Sequence, residues 1–363
     1  MKRYILLMII VFPLYLQASS RIALYNDGGY GTWLDGLKAI EQFLIWKGIA
    51  YTEVNADTIN NADWENRYAA VCFPGGYAYY YKLAINETGL EKIRNFVRQG
   101  GAYWGICAGA YFASDSVQWE EDGLLDYPLD LFDGVAIGAI DSIAPWDQYT
   151  MTRVNLNPNH PINQFEPASE MILYYGGPFF RKHPGASMDT VGTWDAYFNL
   201  PGIVTCNYGS GRVLLMGPHP EIEEDSDRDS TTFADELDDA GSDWPFLWSA
   251  IDWLLGQPIT YPDPSALPKT RFGKRKKPTL NFQIAPNPFN GQTRVTIVAS
   301  GGQGTATLQV FDVLGRLVLK RTLTALREKQ KIFLNVGSQP SGVYFLQINS
   351  HGIIQTKKML LIR

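Results

Sequence analysis

Tyr103-Trp-Gly-Ile-Cys-Ala-Gly-Ala-Tyr-Phe112 sets one cysteine, Cys107, between two glycines where an apolar strand gives way to a helical pattern. A side chain displayed at the tip of a sharp strand-to-helix turn needs small neighbours. The backbone there is strained, and Cβ atoms at Gly105 and Gly109 would collide with it. The run reads as the elbow that presents a nucleophile. Working outward, apolar and amphipathic segments alternate. A strand at 21–25 precedes a helix at 33–47, which places Trp33, Leu37, Ile40 and Leu44 on one face and stops at Gly48. A strand at 69–73, a helix from about 90 to 99 and the strand into Cys107 follow. Such alternation predicts an α/β fold with a parallel sheet covered on both faces. Ligands of these sheets bind beyond the carboxyl ends of the strands, where the loops bearing Asp27, Pro74 to Gly76, Cys107 and His219 emerge.

The middle of the chain is less regular, with strand-like pieces at 134–140, 171–175, 196–198, 203–206 and 212–216. A last helix is expected at 245–255, with Pro245 suited to its first turn and Gly256 just past its end. Residues 257–281 hold five prolines and the cluster Lys274-Arg-Lys-Lys277, and read as an exposed linker. Residues 282–363 then break into short strands at 293–298, 305–311, 317–323, 331–336, 342–348 and 353–361, the pattern of a small all-β sandwich.

Met1-Lys-Arg3, an apolar stretch to residue 16 and Ala18-Ser-Ser20 read as a signal peptide over residues 1–20. No later segment approaches the roughly 20 apolar residues of a membrane span, so an exported protein without a transmembrane segment is expected. The net charge of −6 hides a partition: residues 258–363 carry 16 Lys and Arg against three Asp and Glu, whereas residues 1–257 carry 15 against 34. The tail's basic residues are scattered between strands with no aromatic-basic motif, which argues against nucleic acid. With three cysteines, 45% hydrophobic residues, ten tryptophans and twenty tyrosines, a core rather than a disulfide framework holds the chain together. Cys72 and Cys206 fit as small core residues, with a disulfide between them left open.

Gly217-Pro-His-Pro-Glu221 follows an apolar strand and supplies a base and a carboxylate two residues apart. A helix amino terminus and a neighbouring imidazolium favour a thiolate, and a carboxylate on the other ring nitrogen fixes the tautomer. Cys107, His219 and Glu221 are therefore the catalytic candidates. The N–H groups of Ala108 and of Gly75 and Gly76 are the candidate oxyanion donors and substrate contacts. No cofactor or metal site is expected. Asp225, Asp227, Asp229 and Glu236 have calcium-loop spacing, but Ser230 stands where that loop needs glycine, and a solvated acidic lid over 221–243 is the preferred reading. Asp27-Gly-Gly-Tyr-Gly31 lacks the marks of a phosphate or dinucleotide loop and is expected to shape the pocket. Tyr77, Tyr79, Tyr80 and Tyr81 serve equally well as pocket wall or core. His160 and His183 read as surface residues, and His351 as part of a turn.

Phe73-Pro-Gly-Gly76, Gly105-Ile-Cys-Ala-Gly-Ala-Tyr-Phe-Ala113, Leu131-Phe-Asp-Gly-Val-Ala-Ile-Gly138, Tyr174-Tyr-Gly-Gly-Pro-Phe179, and Gly209-Ser-Gly-Arg-Val213 with His219-Pro-Glu221 occur in order. Together they resemble the biotin-protein ligase amino-terminal domain family of the class I glutamine amidotransferase-like superfamily. The resemblance spans about 22–257 within an expected domain of 21–256. It implies a flavodoxin-like sheet and carries nucleophile, base and acid onto Cys107, His219 and Glu221. The ligase's own catalytic domain and any ammonia-accepting synthase domain are missing, so no biotin ligase activity is expected. What remains is a cysteine-dependent amidase or hydrolase acting on a small-molecule or peptide amide. The rival reading is a non-catalytic, secreted or cell-surface small-ligand-binding protein on the same fold. Ala285-Pro-Asn-Pro-Phe-Asn290, Val310-Phe-Asp-Val-Leu-Gly-Arg316, Ser341-Gly-Val-Tyr-Phe345 and Lys357-Lys-Met-Leu-Leu-Ile-Arg363 resemble the carboxy-terminal sorting domain of type IX secretion. The implied partner is that secretion machinery, reached through residues 282–363, and the implied location is secreted or cell-surface.

Overall fold

The computed structural model describes residues 21–363 except 121, 225, 238–240, 263–278, 301–303, 314–315, 327–328, 338, 351–352 and 363. The chain divides into two compact units, Met1–Thr270 and Arg271–Arg363. The expected signal peptide, Asp225, the Lys274 to Lys277 cluster and His351 lie outside the described residues.

The first unit begins with β1 (Ile22–Tyr25), α1 (Leu34–Lys47), β2 (Tyr51–Val54), α2 (Ala56–Asn61), β3 (Ala70–Phe73), α3 (Ala78–Ala84), α4 (Glu87–Arg98) and β4 (Ala102–Ile106). It continues through α5 (Ala108–Ala113), β5 (Ser114–Trp119), β6 (Leu124–Asp126), β7 (Phe132–Gly138), β8 (Thr150–Leu156), β9 (Ser169–Tyr174) and β10 (Phe179–Lys182). It closes with β11 (Asp189–Trp194), β12 (Leu200–Tyr208), β13 (Gly211–Met216) and α6 (Trp244–Leu254). Nine strands form one sheet in the order β2-β1-β3-β4-β13-β12-β11-β8-β9. The first five are parallel and have the order of a flavodoxin-like doubly wound sheet, and the last four are antiparallel. A second sheet, β10-β7-β5-β6, accompanies it.

β1, β3 and β4 are buried at every residue, as strands covered on both faces must be. Leu37, Ile40 and Leu44 of α1 pack on one face with Trp104 and Leu214, while Ile93 and Val97 of α4 pack on the other with Val71 and Tyr103. α1 ends at Gly48, whose φ of 75° suits glycine and lets its N–H reach the Ile45 carbonyl. α4 starts earlier than its apolar pattern indicates, because the Asn86 side chain caps it by accepting from the Gly89 N–H at 3.0 Å. The strand expected at 196–198 is instead the turn between β11 and β12. Phe198 and Asn199 both have φ near 52°, the handedness of a tight hairpin.

The second unit is all β: β14 (Thr279–Ala285), β15 (Gln292–Ser300), β16 (Gly304–Asp312), β17 (Leu317–Leu326), β18 (Lys329–Asn335), β19 (Gly342–Ser350) and β20 (Ile353–Leu361). They form antiparallel sheets β14-β15-β18 and β17-β16-β19-β20, sharing a core of residues such as Val295, Ile297, Leu308, Val310, Leu346 and Ile348. β14 begins inside the stretch expected as linker, where Leu280, Phe282 and Ile284 alternate with polar residues.

Candidate active site

Cys107 leaves the carboxyl end of β4 with φ 47° and ψ −102°, a strained conformation for a residue with a side chain. Its N–H donates to the Met216 carbonyl at 2.8 Å, extending the β4–β13 ladder up to the turn. The flanking glycines are sterically required. A Cβ on Gly105 would sit 2.6 Å from the Gly109 backbone, and one on Gly109 would sit 1.9 Å from the Phe73 carbonyl oxygen. The elbow is thus wedged between β3 and α5.

His219 follows β13, the strand beside β4, and its N–H is pinned to the Leu173 carbonyl at 2.9 Å. Both His219 and Glu221 are fully buried. The ring Nδ1–H donates to Glu221 Oε1 at 2.8 Å, leaving Nε2 without a hydrogen-bond partner among the described residues. Burial alone would push the imidazole pKa down. The Glu221 carboxylate and the adjacent Cys107 outweigh that and raise it to about 10. Cys107 and His219 open into one cavity of about 310 Å³, which Gly76 also lines. Cys107 Sγ lies 3.6 Å from the Tyr175 carbonyl oxygen.

The loop after β3 is held by Tyr81, whose hydroxyl lies 3.2 Å from the carbonyl oxygens of both Pro74 and Gly75. In a trans peptide the C=O and N–H point oppositely, so anchoring these two carbonyls turns the N–H groups of Gly75 and Gly76 away from Tyr81. Neither these nor the Ala108 N–H donates among the backbone hydrogen bonds made outside helices and strands by the described residues. A Cβ on Gly75 would stand 2.8 Å from the His219 ring and displace it. Asp27 organises the neighbouring loop by accepting from the N–H groups of Tyr30, Gly31 and Thr32, and Thr32 lines the cavity.

The cavity wall was legible in the sequence only at Tyr77 and the loop holding Gly29. Trp33, Trp146, Tyr175 and Asp35 line it with Tyr77, whereas Tyr81 is core and packs on Tyr25, Phe73 and Phe112. Trp33 belongs to the turn before α1, where helical periodicity misassigns it to the helix face. Trp146 packs against Gly176, where a Cβ would approach its ring to 2.5 Å, and the glycines after Tyr175 were the available clue.

Three other expectations are corrected. The acidic stretch after His219 is not a solvated lid: Glu223, Glu224 and Asp229 are buried, and Glu223 pairs with Arg228. Asp229 accepts from the Glu223 and Thr231 N–H groups, and burial raises its pKa to about 6. Of the calcium candidates, Asp229 is thereby engaged and Glu236 accepts from the Tyr149 hydroxyl; no metal-ligand cluster occurs among the described residues. His160 is buried rather than superficial, with Nε2 3.0 Å from the Thr205 hydroxyl, and burial lowers its pKa. His183 is exposed beside Asp133. Cys72 and Cys206 are free thiols in core clusters on opposite faces of the sheet, which removes the disulfide left open above.

Residues 28–241 match the model of the family described as biotin-protein ligase, N terminal. The chain belongs to that family. Residues 283–362 match the secretion system C-terminal sorting domain. Among curated relatives of this biotin-protein ligase N-terminal member, an uncharacterized protein of Chlamydia muridarum is 30% identical over 213 residues, covering 55% of this chain and 80% of the relative. The biotin–protein ligase of Schizosaccharomyces pombe is 28% identical over 181 residues, covering 47% of this chain but only 28% of that enzyme. A solved Thermoplasma acidophilum protein, provisionally described as a component of GMP synthase, is 14% identical with a TM-score of 0.37, covering 56% of this chain and 85% of its own. No helix among the described residues is long and apolar enough to cross a membrane.

Proposed function

We propose that this secreted or cell-surface protein is a cysteine-dependent amidase of the glutamine amidotransferase-like class, with Cys107 as nucleophile, His219 as base and Glu221 as the acid that orients it. One observation carries the reading: a strained cysteine at a strand-to-helix junction shares its cavity with an imidazole whose far nitrogen is bonded to a buried carboxylate. In the proposed reaction His219 Nε2 holds the proton given up by Cys107, and the sulfur attacks the amide carbonyl carbon. The negative oxygen faces the N–H groups of Ala108 and of Gly75 or Gly76, each such donor being worth about 2.7–4 kcal/mol. Collapse breaks the C–N bond, the amine leaves with the proton from His219, and a thioester remains. Water, deprotonated by His219, then releases the acid and restores the starting pair of sulfur and protonated imidazole. Residues 1–20 would direct export and be removed, residues 257–281 would join the units, and residues 282–363 would engage the type IX machinery. Biotin ligation is not expected.

The rival reading, ligand capture without chemistry, draws on the approach of the Cys107 sulfur to the Tyr175 carbonyl, which offers the thiol an acceptor other than His219. An amide and peptide library, with iodoacetamide labelling near neutral pH in parallel, separates the two. Turnover and labelling that Cys107→Ala abolishes support the amidase. Undiminished labelling of that variant, or ligand binding without turnover in the wild type, overturns it.

A further inference from the structure

The cavity that admits substrate to Cys107 has a distinctive wall. Trp146 and Tyr175 lie nearly parallel, 14° apart with centroids at 5.7 Å. Tyr77 stands edge-on to Trp146 at 6.0 Å, and Trp33 edge-on to Tyr175 at 5.5 Å. Asp35 lines the same space, and no Lys or Arg does so among the described residues. Of the other ionisable groups there, His219 is paired through Nδ1 with the buried Glu221 carboxylate, and Cys107 approaches the Tyr175 carbonyl.

This arrangement discriminates between ligands. Aromatic faces attract a cation through their quadrupoles, and a carboxylate beside them adds to that attraction. A ligand carboxylate would be desolvated with no lysine or arginine to receive it, and the one imidazolium there, His219, already has its charge balanced by the buried Glu221. Free glutamine, which brings a carboxylate next to its ammonium, is therefore poorly matched. From the aromatic wall and Asp35 we infer that the site takes an amide whose non-reacting part is an ammonium or guanidinium group, in preference to a neutral or acidic one. The inference rests on reading Cys107 as the reactive centre of this cavity. Burial raises the Asp35 pKa, and Lys38 and a hydrogen bond from Trp33 oppose this only in part. Asp35 also occupies the first turn of α1, where the helix dipole favours its charged form.

Arginine and citrulline are near-isosteres that differ in charge, which makes the test direct. Calorimetric titration of the full chain carrying Cys107→Ala would use N-acetylarginine amide, N-acetylcitrulline amide and N-acetylglutamic acid amide. The arginine compound is expected to bind about tenfold or more tightly than citrulline, with the acidic compound weakest. Adding Asp35→Asn should close the arginine–citrulline gap. Equal affinities, tightest binding of the acidic compound, no binding of any, or a gap that survives Asp35→Asn overturns the inference. Binding in the Cys107→Ala protein needs no chemistry, so the two ideas fail separately. Selective binding with an inert wild type sinks only the amidase, and Cys107-dependent turnover without selectivity sinks only this inference.

Discussion

Glu221 is the residue on which the protonation of the site turns. It is buried, bonded through Oε1 to His219 Nδ1, and it is the largest influence opposing the burial that would otherwise lower the imidazole pKa. His219 is thus raised from 6.5 to about 10 by folding. The folded state holds a proton that the unfolded chain releases above its ordinary histidine pKa. The stabilisation is complete below about pH 6.5 and declines as pH rises towards 10. Urea unfolding midpoints should therefore fall across that window in the wild type, and Glu221→Gln should flatten the fall. The same variant is expected to lower amide turnover by about 10⁴, the cost of the equivalent carboxylate-to-amide change in a serine-protease triad. Much of this was legible from spacing, since His219 and Glu221 stand two apart after an apolar strand. Their complete burial was not, because the surrounding acidic residues read as solvated.

At the scale of elements, two loops decide what the site can do. The β3–α3 connection passes so close to His219 that a methyl at position 75 would press on the imidazole. Gly75→Ala should displace the ring from Cys107 and slow iodoacetamide labelling at pH 7 by about tenfold. The accompanying loss of stability should stay within about 1–3 kcal/mol, since the intruding methyl meets one side chain that can tilt. Comparing labelling rates with urea midpoints checks this, and a large stability loss with unchanged labelling would count against it. The elbow could be foreseen because a cysteine flanked by glycines between an apolar strand and a helical run permits few geometries. Most of the pocket wall could not. Trp33, Trp146 and Tyr175 come from separate connections whose aromatic residues look like core until chain positions distant in sequence are brought together.

For the whole molecule, the uneven division of charge along the sequence coincides with two compact units that each have their own core. The second unit matches a sorting domain, so a chain lacking residues 283–362 should accumulate in the periplasm while the full chain reaches the surface or the medium, as fractionation and immunoblotting would read. Equal surface delivery of both would contradict that assignment. The sandwich was predictable from its short alternating strands, although β14 hid in a proline-containing stretch that composition alone marks as linker. Cys107 and His219 depend on β4 and β13, adjacent strands of the sheet, whereas the surfaces that greet a ligand are contributed by connections outside it. Exchanging those connections should accordingly change what the site accepts while leaving the sheet and its sulfur in place.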